Sequence, residues 1–257
     1  MIDTHSHLFA EEFAEDLPAV IERARAAGVS KVFMPNIDDT TIEAMLGVCT
    51  AYQGYCFPMI GFHPTSVDAD SLSRIHGMKK MLSDEHPFIA IGEVGMDLYW
   101  DKTYLKEQQK ALDIQIQWAL EYHLPLVLHC REAFPELFEV IEPYKNTGLS
   151  GIFHSFTGTL EEAGQVLEYS RFFFGINGVV TFKKSTLPEV LAHIPLERLV
   201  LETDSPYLAP VPYRGKRNES SYIKNVAVKL AEIYKMDLED IDQITTRNAL
   251  KVFKMAE

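Results

Sequence analysis

The 257-residue sequence is 47% hydrophobic and 24% charged, enough apolar material for a large core, with no apolar run long enough to cross a bilayer. Its 37 acidic against 24 basic residues leave a net charge of −13, which argues against broad, non-specific coating of nucleic acid but not against a local basic mouth. Three cysteines, Cys49, Cys56 and Cys130, are odd in number and lack zinc-site spacing, so reduced thiols in a cytoplasmic protein are expected.

The chain opens "MIDTHSHLF", with no signal-peptide pattern, so the mature protein is expected to begin at Met1. In extended chain side chains repeat every two residues, so His5 and His7 point the same way and are spaced to grip one ion. Short runs rich in Val, Ile and Phe then alternate with helical patterns. "KVFMP" follows "LPAVIERARAAG", and "CFPMIGFHP" follows "TTIEAMLGVCTAY". "FIAIGEVG" comes next, and "LPLVLHC" follows a long amphipathic stretch, "YLKEQQKALDIQIQWALEYH". "LSGIFHS", "RFFFGING" and "RLVLETDSP" complete the series.

Eight strands are thus predicted, near Ile2, Val32, Met59, Ile89, Val127, Ile152, Phe173 and Val200, mostly 25 to 35 residues apart. Alternating strands and helices predict a parallel sheet, and eight such units predict an α/β fold of the (β/α)₈ barrel type, as one domain over residues 1–257. The alternative, an open doubly wound sheet, lacks the Gly-rich phosphate fingerprint after the first strand. Two amphipathic helices, "SSYIKNVAVKLAEIYK" and "DLEDIDQITTRNALKVF", close the chain.

In such a barrel, function sits at the C-terminal ends of the strands. His5, His7, His63, Glu93, His129, His154 and Asp204 all fall there. His76, His86, His123 and His193 fall in predicted helices or at their ends and read as ordinary surface or core residues. Any single strand-end histidine is usually a core histidine, but five with two carboxylates converge on one rim. Carboxylates buried together need cations to offset desolvation. The mixed set suits Zn²⁺ or Mn²⁺, with Mg²⁺ also compatible, and its size exceeds the needs of one tetrahedral ion. Two ions sharing a carboxylate fit better.

"MIDTHSHL", "IGFHP", "IGEVGMD", "LHCREA", "FHSFTG" and "LETDSPYLAPVPYRGKRNE", in this order, resemble the TatD family of metal-dependent DNases, among the amidohydrolase-like barrels. The resemblance runs from Met1 to about Glu219. It implies a two-metal phosphodiesterase acting on DNA. It implies that His5, His7, Glu93 and Asp204 hold one ion and that Glu93, His129 and His154 hold the second. Glu93 then bridges, His63 lines the site, and Asp204 is the carboxylate that orients the attacking water or takes its proton. Glu202, two residues earlier, reads equally as an outer partner or a buried structural carboxylate. Two positions depart from the family pattern: Phe9 stands where Asp or Asn is usual, and Ser220 where Pro is frequent.

His63, Arg131, Arg214, Lys216 and Arg217 are the expected substrate-binding residues, the basic ones as phosphate contacts, since Arg grips phosphate in a two-pronged manner. Against this stands a simple solvated basic loop. Tyr99, Trp100 and Tyr207 follow ligand candidates and offer surfaces for base stacking, or cap the barrel. A small basic mouth favours attack from a strand end. Nucleic acid is the expected partner; neither a membrane nor a stable protein partner is indicated. The rivals are a related amidohydrolase activity, such as D-aminoacyl-tRNA deacylation or small ester or amide hydrolysis, and a non-catalytic binding barrel.

Overall fold

The computed structural model describes residues 1–83 and 85–256. Among the described residues eight parallel strands are present: β1 (Ile2–Asp3), β2 (Lys31–Pro35), β3 (Cys56–Met59), β4 (Ile91–Asp97), β5 (Leu126–Arg131), β6 (Gly151–Phe153), β7 (Phe172–Ile176) and β8 (Leu199–Leu201). Helices α1 (Leu17–Ala26), α2 (Ile42–Ala51), α3 (Ser71–Met78), α4 (Leu105–Glu121), α5 (Phe134–Ile141), α6 (Leu160–Leu167) and α7 (Leu187–Leu191) separate them. The closing helices are α8 (Ile223–Tyr234) and α9 (Leu238–Val252). The fourth strand begins two residues later than the position expected near Ile89 and runs on to Asp97.

Regular pairing makes two arcs, β1-β2-β3 and β4-β5-β6-β7-β8. Backbone hydrogen bonds close both seams. Ile89 N–H donates to Pro58 O at 3.0 Å, Ile60 N–H to Ala90 O at 3.1 Å and Gly92 N–H to Ile60 O at 2.8 Å. On the other side Thr4 N–H donates to Leu201 O at 3.0 Å, Asp204 N–H to His5 O at 2.9 Å and His7 N–H to Ser205 O at 2.8 Å. The eight strands therefore form one ring.

Inside the ring, Ile2, Phe33, Met59, Ala90, Val127, Ile152, Phe173 and Val200 form an apolar floor, one residue from or beside each strand. Leu250, Val252 and Phe253, at the end of α9, seal it from below. Because side chains alternate along a strand, the layer above the floor is set two residues further on. That step leads from Val127 to His129, from Ile152 to His154, and from Val200 to Glu202 and then Asp204. From Met59 two such steps lead through Gly61 to His63. A shift of register between Ile91 and Val94 changes the phase on β4, where Glu93 is the inward carboxylate.

Buried amides clamp the strand ends. Asn36 Nδ2 donates to Gly61 O at 2.8 Å, and Asn36 Oδ1 accepts from Gly61 N–H at 2.8 Å. Gln115 of α4 accepts from Phe62 N–H at 2.7 Å, and Gln108 accepts from Asp97 N–H at 2.9 Å. Asn218 donates to Thr203 O and Tyr207 O, both at 2.7 Å. These bonds satisfy backbone groups where the ladder has ended and fix the loops that carry the polar layer.

Gly175 leaves room for that layer, since a Cβ there would lie 2.2 Å from Glu202 Oε2. Gly175→Ala is expected to cost about 1–3 kcal/mol through overpacking, read from denaturant unfolding. Gly77→Ala, at an exposed helical position with nothing within 4 Å of the added Cβ, should be neutral or stabilising by up to about 1 kcal/mol.

Candidate metal centre

The polar layer brings the strand-end residues together. His5 Nε2 and His7 Nε2 lie 3.2 Å apart. Glu93 Oε2 is 3.1 Å from His5 Nε2 and 3.8 Å from His7 Nε2. Asp204 Oδ1 is 3.8 Å from His5 Nε2 and 3.5 Å from His7 Nε2. A tetrahedral ion with bonds of about 2.0–2.2 Å has ligand-to-ligand edges of about 3.3–3.6 Å, near the separations among His5, His7 and Glu93 and those of Asp204 from the two imidazoles. The other oxygen, Glu93 Oε1, lies 2.9 Å from His129 Nδ1, 3.7 Å from His154 Nε2 and 3.2 Å from His63 Nε2. One carboxylate thus meets imidazoles through both of its oxygens, and the two sets touch where the His5 and His154 rings stack at 3.4 Å.

Charge supports the same reading. Burial favours the neutral acid, yet the surrounding His63, His5 and His154 hold Glu93 well below the usual carboxylate range. Burial alone would discharge His154, but Glu202, Glu93 and Asp204 outweigh it and push its pKa up to about 10. His129 is raised against burial by Asp97 and Glu93. His5 and His63 are lowered, chiefly by burial. Without ions, the negative potential of the carboxylates draws protons onto imidazoles, and the same potential favours cations. Donor types, spacing and charge all fit divalent metal.

Two further carboxylates stand behind the imidazoles. Glu202, fully buried, accepts from Ser155 N–H at 2.6 Å and lies 3.0 Å from His154 Nδ1. Asp97, also buried, lies 2.9 Å from His129 Nε2. Asp97 is the site residue that the sequence reading did not single out. It lies in the quoted "IGEVGMD" motif, and its place on the strand, four residues after Glu93, was the available signal. Phe9 packs edge to face on His7 at 5.8 Å. Ser220 is buried at the start of a short 3₁₀ turn, Ser220–Tyr222.

A cavity of about 660 Å³ opens above the layer, lined by His7, His63, Glu93, His129, His154 and Asp204 among others. His76, His86, His123 and His193 do not line it. Arg131 does, with its guanidinium stacked 3.7 Å from the Tyr99 ring centre and 5.3 Å from that of Trp100. Tyr99, Trp100 and Tyr207 are 52%, 72% and 54% exposed, with one face of Tyr99 covered by Arg131, and Trp100 and Tyr207 line the cavity.

The basic loop after β8 is arranged differently. Arg214 stacks over Phe182 at 3.7 Å. Lys216 lines a separate groove with Lys224, Tyr213 and Tyr222. Arg217 is turned to α1, where it donates to Asp16 Oδ1 at 2.7 Å and Oδ2 at 2.8 Å and lies over Phe13. None of the three lines the cavity.

A ring of eight parallel strands with imidazoles and carboxylates gathered at its C-terminal rim defines a metal-dependent hydrolase barrel. The family model described as TatD related DNase matches residues 2–254. The chain is 39% identical over 257 residues to the metal-dependent hydrolase YabD of Bacillus subtilis, covering 99% of each. It is 31% identical over 265 residues to the 3′-5′ ssDNA/RNA exonuclease TatD of Pectobacterium parmentieri, covering 100% of each. The crystal structure of YJJV, a TatD homolog from Escherichia coli K12, superposes with a TM-score of 0.89 at 27% identity, covering 100% of this chain and 98% of that one. The chain belongs to the TatD related DNase family and is a metal-dependent hydrolase.

Two outcomes are expected from this geometry. Asp97→Asn should weaken metal binding by about 10–100-fold while the fold persists, as measured by metal titration beside circular dichroism. Arg217→Ala should lower unfolding stability by about 1 kcal/mol, from lost pairing and packing, and leave KM unchanged in steady-state kinetics.

Proposed function

We propose that the protein hydrolyses phosphodiester bonds of nucleic acid, DNA foremost, working from a strand end with two divalent ions. His5, His7, Glu93 and Asp204 hold one ion; Glu93, His129 and His154 hold the other. The observation that carries this reading is Glu93, whose Oε2 faces His5 and His7 while Oε1 faces His129 and His154. The exonuclease name carried by the Pectobacterium relative supports the substrate and the direction of attack.

A bound pair of divalent ions supplies a nucleophile at neutral pH, neutralises phosphate charge and eases departure of the leaving oxygen. The chain does the rest. Asp204 faces the cavity with 14% of its side chain exposed, and a backbone φ of +57° holds it in a left-handed conformation that a non-glycine residue rarely adopts. From there it orients the attacking water and accepts its proton. Glu202, below it and sealed from solvent, orients His154 instead. Arg131, kept flat against Tyr99, grips a flanking phosphate. Trp100 and Tyr207 offer their faces to the bases of a single strand.

The test is digestion of labelled single- and double-stranded DNA, RNA and aminoacyl-tRNA by protein reconstituted with Zn²⁺, Mn²⁺ or Mg²⁺. Release of mononucleotides from a single-stranded end is expected; hydrolysis confined to the aminoacyl ester would overturn the reading. Asp204→Asn should lower turnover by about a hundredfold or more at saturating metal. Metal counting should show one ion weakened and the other retained. Arg131→Ala should raise KM about tenfold for an oligonucleotide, the loss of one charge-assisted contact, and barely affect a small activated phosphodiester.

A further inference from the structure

By distance, His63, Glu93 and His129 form another cluster that meets the requirements of a metal site. His63 Nε2 is 3.2 Å from Glu93 Oε1, and its ring meets that of His129 edge to face at 4.5 Å. The far side of the ring points to a different use.

His63 Nδ1 accepts the backbone N–H of Thr65 at 3.2 Å and lies 2.6 Å from Thr65 Oγ1. A backbone N–H can only donate. A proton on Nδ1 would set N–H against N–H, whereas a lone pair there accepts from Thr65. In a neutral imidazole the proton then sits on Nε2, which lies 3.2 Å from Glu93 Oε1 at the wall of the cavity. His129 has the opposite polarity. Its far nitrogen is hydrogen-bonded to the carboxylate Asp97 at 2.9 Å, while that of His154 lies 3.0 Å from Glu202 without hydrogen-bond geometry. A carboxylate calls for an N–H at the far nitrogen, leaving a lone pair toward the cavity, as a metal-binding imidazole requires. Thr65 instead leaves His63 with an N–H there.

The position is firmly held. His63 N–H donates to Ile37 O at 2.8 Å, and the preceding residues Gly61 and Phe62 are clamped by Asn36 and Gln115. His63 lines the cavity beside the two proposed ion positions.

We propose that His63 is a hydrogen-bond donor to the substrate and not a metal ligand, its Nε2–H holding an oxygen of the phosphate at the reacting centre. This rests on the phosphodiester reading above. A fixed donor aimed where charge develops acts in the transition state without prior reorganisation.

The experiment has two arms. In zinc-loaded wild-type protein, ¹⁵N-detected histidine side-chain NMR should find His63 protonated on Nε2; a proton on Nδ1, or zinc bound at Nε2, would overturn the assignment. In the second arm, His63→Leu and His63→Gln are compared with wild type by zinc counting and by kinetics on a single-stranded oligonucleotide. The Leu variant should keep the wild-type zinc count and lose about a hundredfold in kcat. The Gln variant, which restores a donor, should recover part of that loss. A zinc ion lost from the Leu variant, or unchanged kinetics at full zinc count, would each refute the role. The first arm needs no substrate, so failure of the wild type to cleave any phosphodiester overturns the functional reading and is distinguishable from a misassigned His63 proton.

Discussion

Glu93 keeps a negative charge where water hardly reaches, and the surrounding polar layer is organised to make that tolerable. An isolated buried carboxylate would take up a proton, but imidazoles on four sides hold this one ionised. Each imidazole needs its own arrangement. His129 is backed by Asp97, His154 by Glu202, and His63 by the N–H of Thr65. Those partners need holding in turn, which is the task of Gln108 on Asp97, of Ser155 N–H on Glu202 and of Gly175, whose missing side chain leaves the room that Glu202 fills. The barrel is thus built around one charge, outward through successive shells of hydrogen bonds.

The arrangement also explains why the apolar floor and the reactive layer are so sharply separated. Strand alternation places every second residue inside the ring, so a floor of Val127, Ile152 and Val200 dictates that His129, His154 and Glu202 lie directly above. Glu93 departs from this step, brought inward where the β4 ladder changes register, and His5 and His7 depart from it beyond the short strand β1. The residue that faces both imidazole groups sits at this irregularity.

Much of this was legible in the chain. Runs such as "PLVLHCR" and "GIFHSF" announce a buried strand and the imidazole that ends it, because burial and alternation are local properties of sequence. The amide clamps were not legible. Gln108 and Gln115 on α4 look like members of a solvated helix face, and only the strands packed beneath turn them into partners for Asp97 and Phe62. The fate of the basic loop was equally hidden. Arg217 reads as a phosphate contact until Asp16, 201 positions away in the chain, proves to be its partner. His63 shows the same limit at atomic scale, since its residue type is that of a ligand and its polarity depends on a neighbouring N–H.

The seam between β1 and β8 has a consequence for how the molecule comes into being. His5 and His7 precede Asp204, whose N–H bonds to His5 O, by almost two hundred residues. A nascent chain therefore carries exposed imidazoles long before it has a rim to place them on. The proposed His5–His7–Glu93–Asp204 pocket cannot preform on a partial chain, and any metal captured early would sit in a site unlike the final one. Closing the ring and completing this pocket therefore depend on the same stretch of chain, the strand end at Asp204.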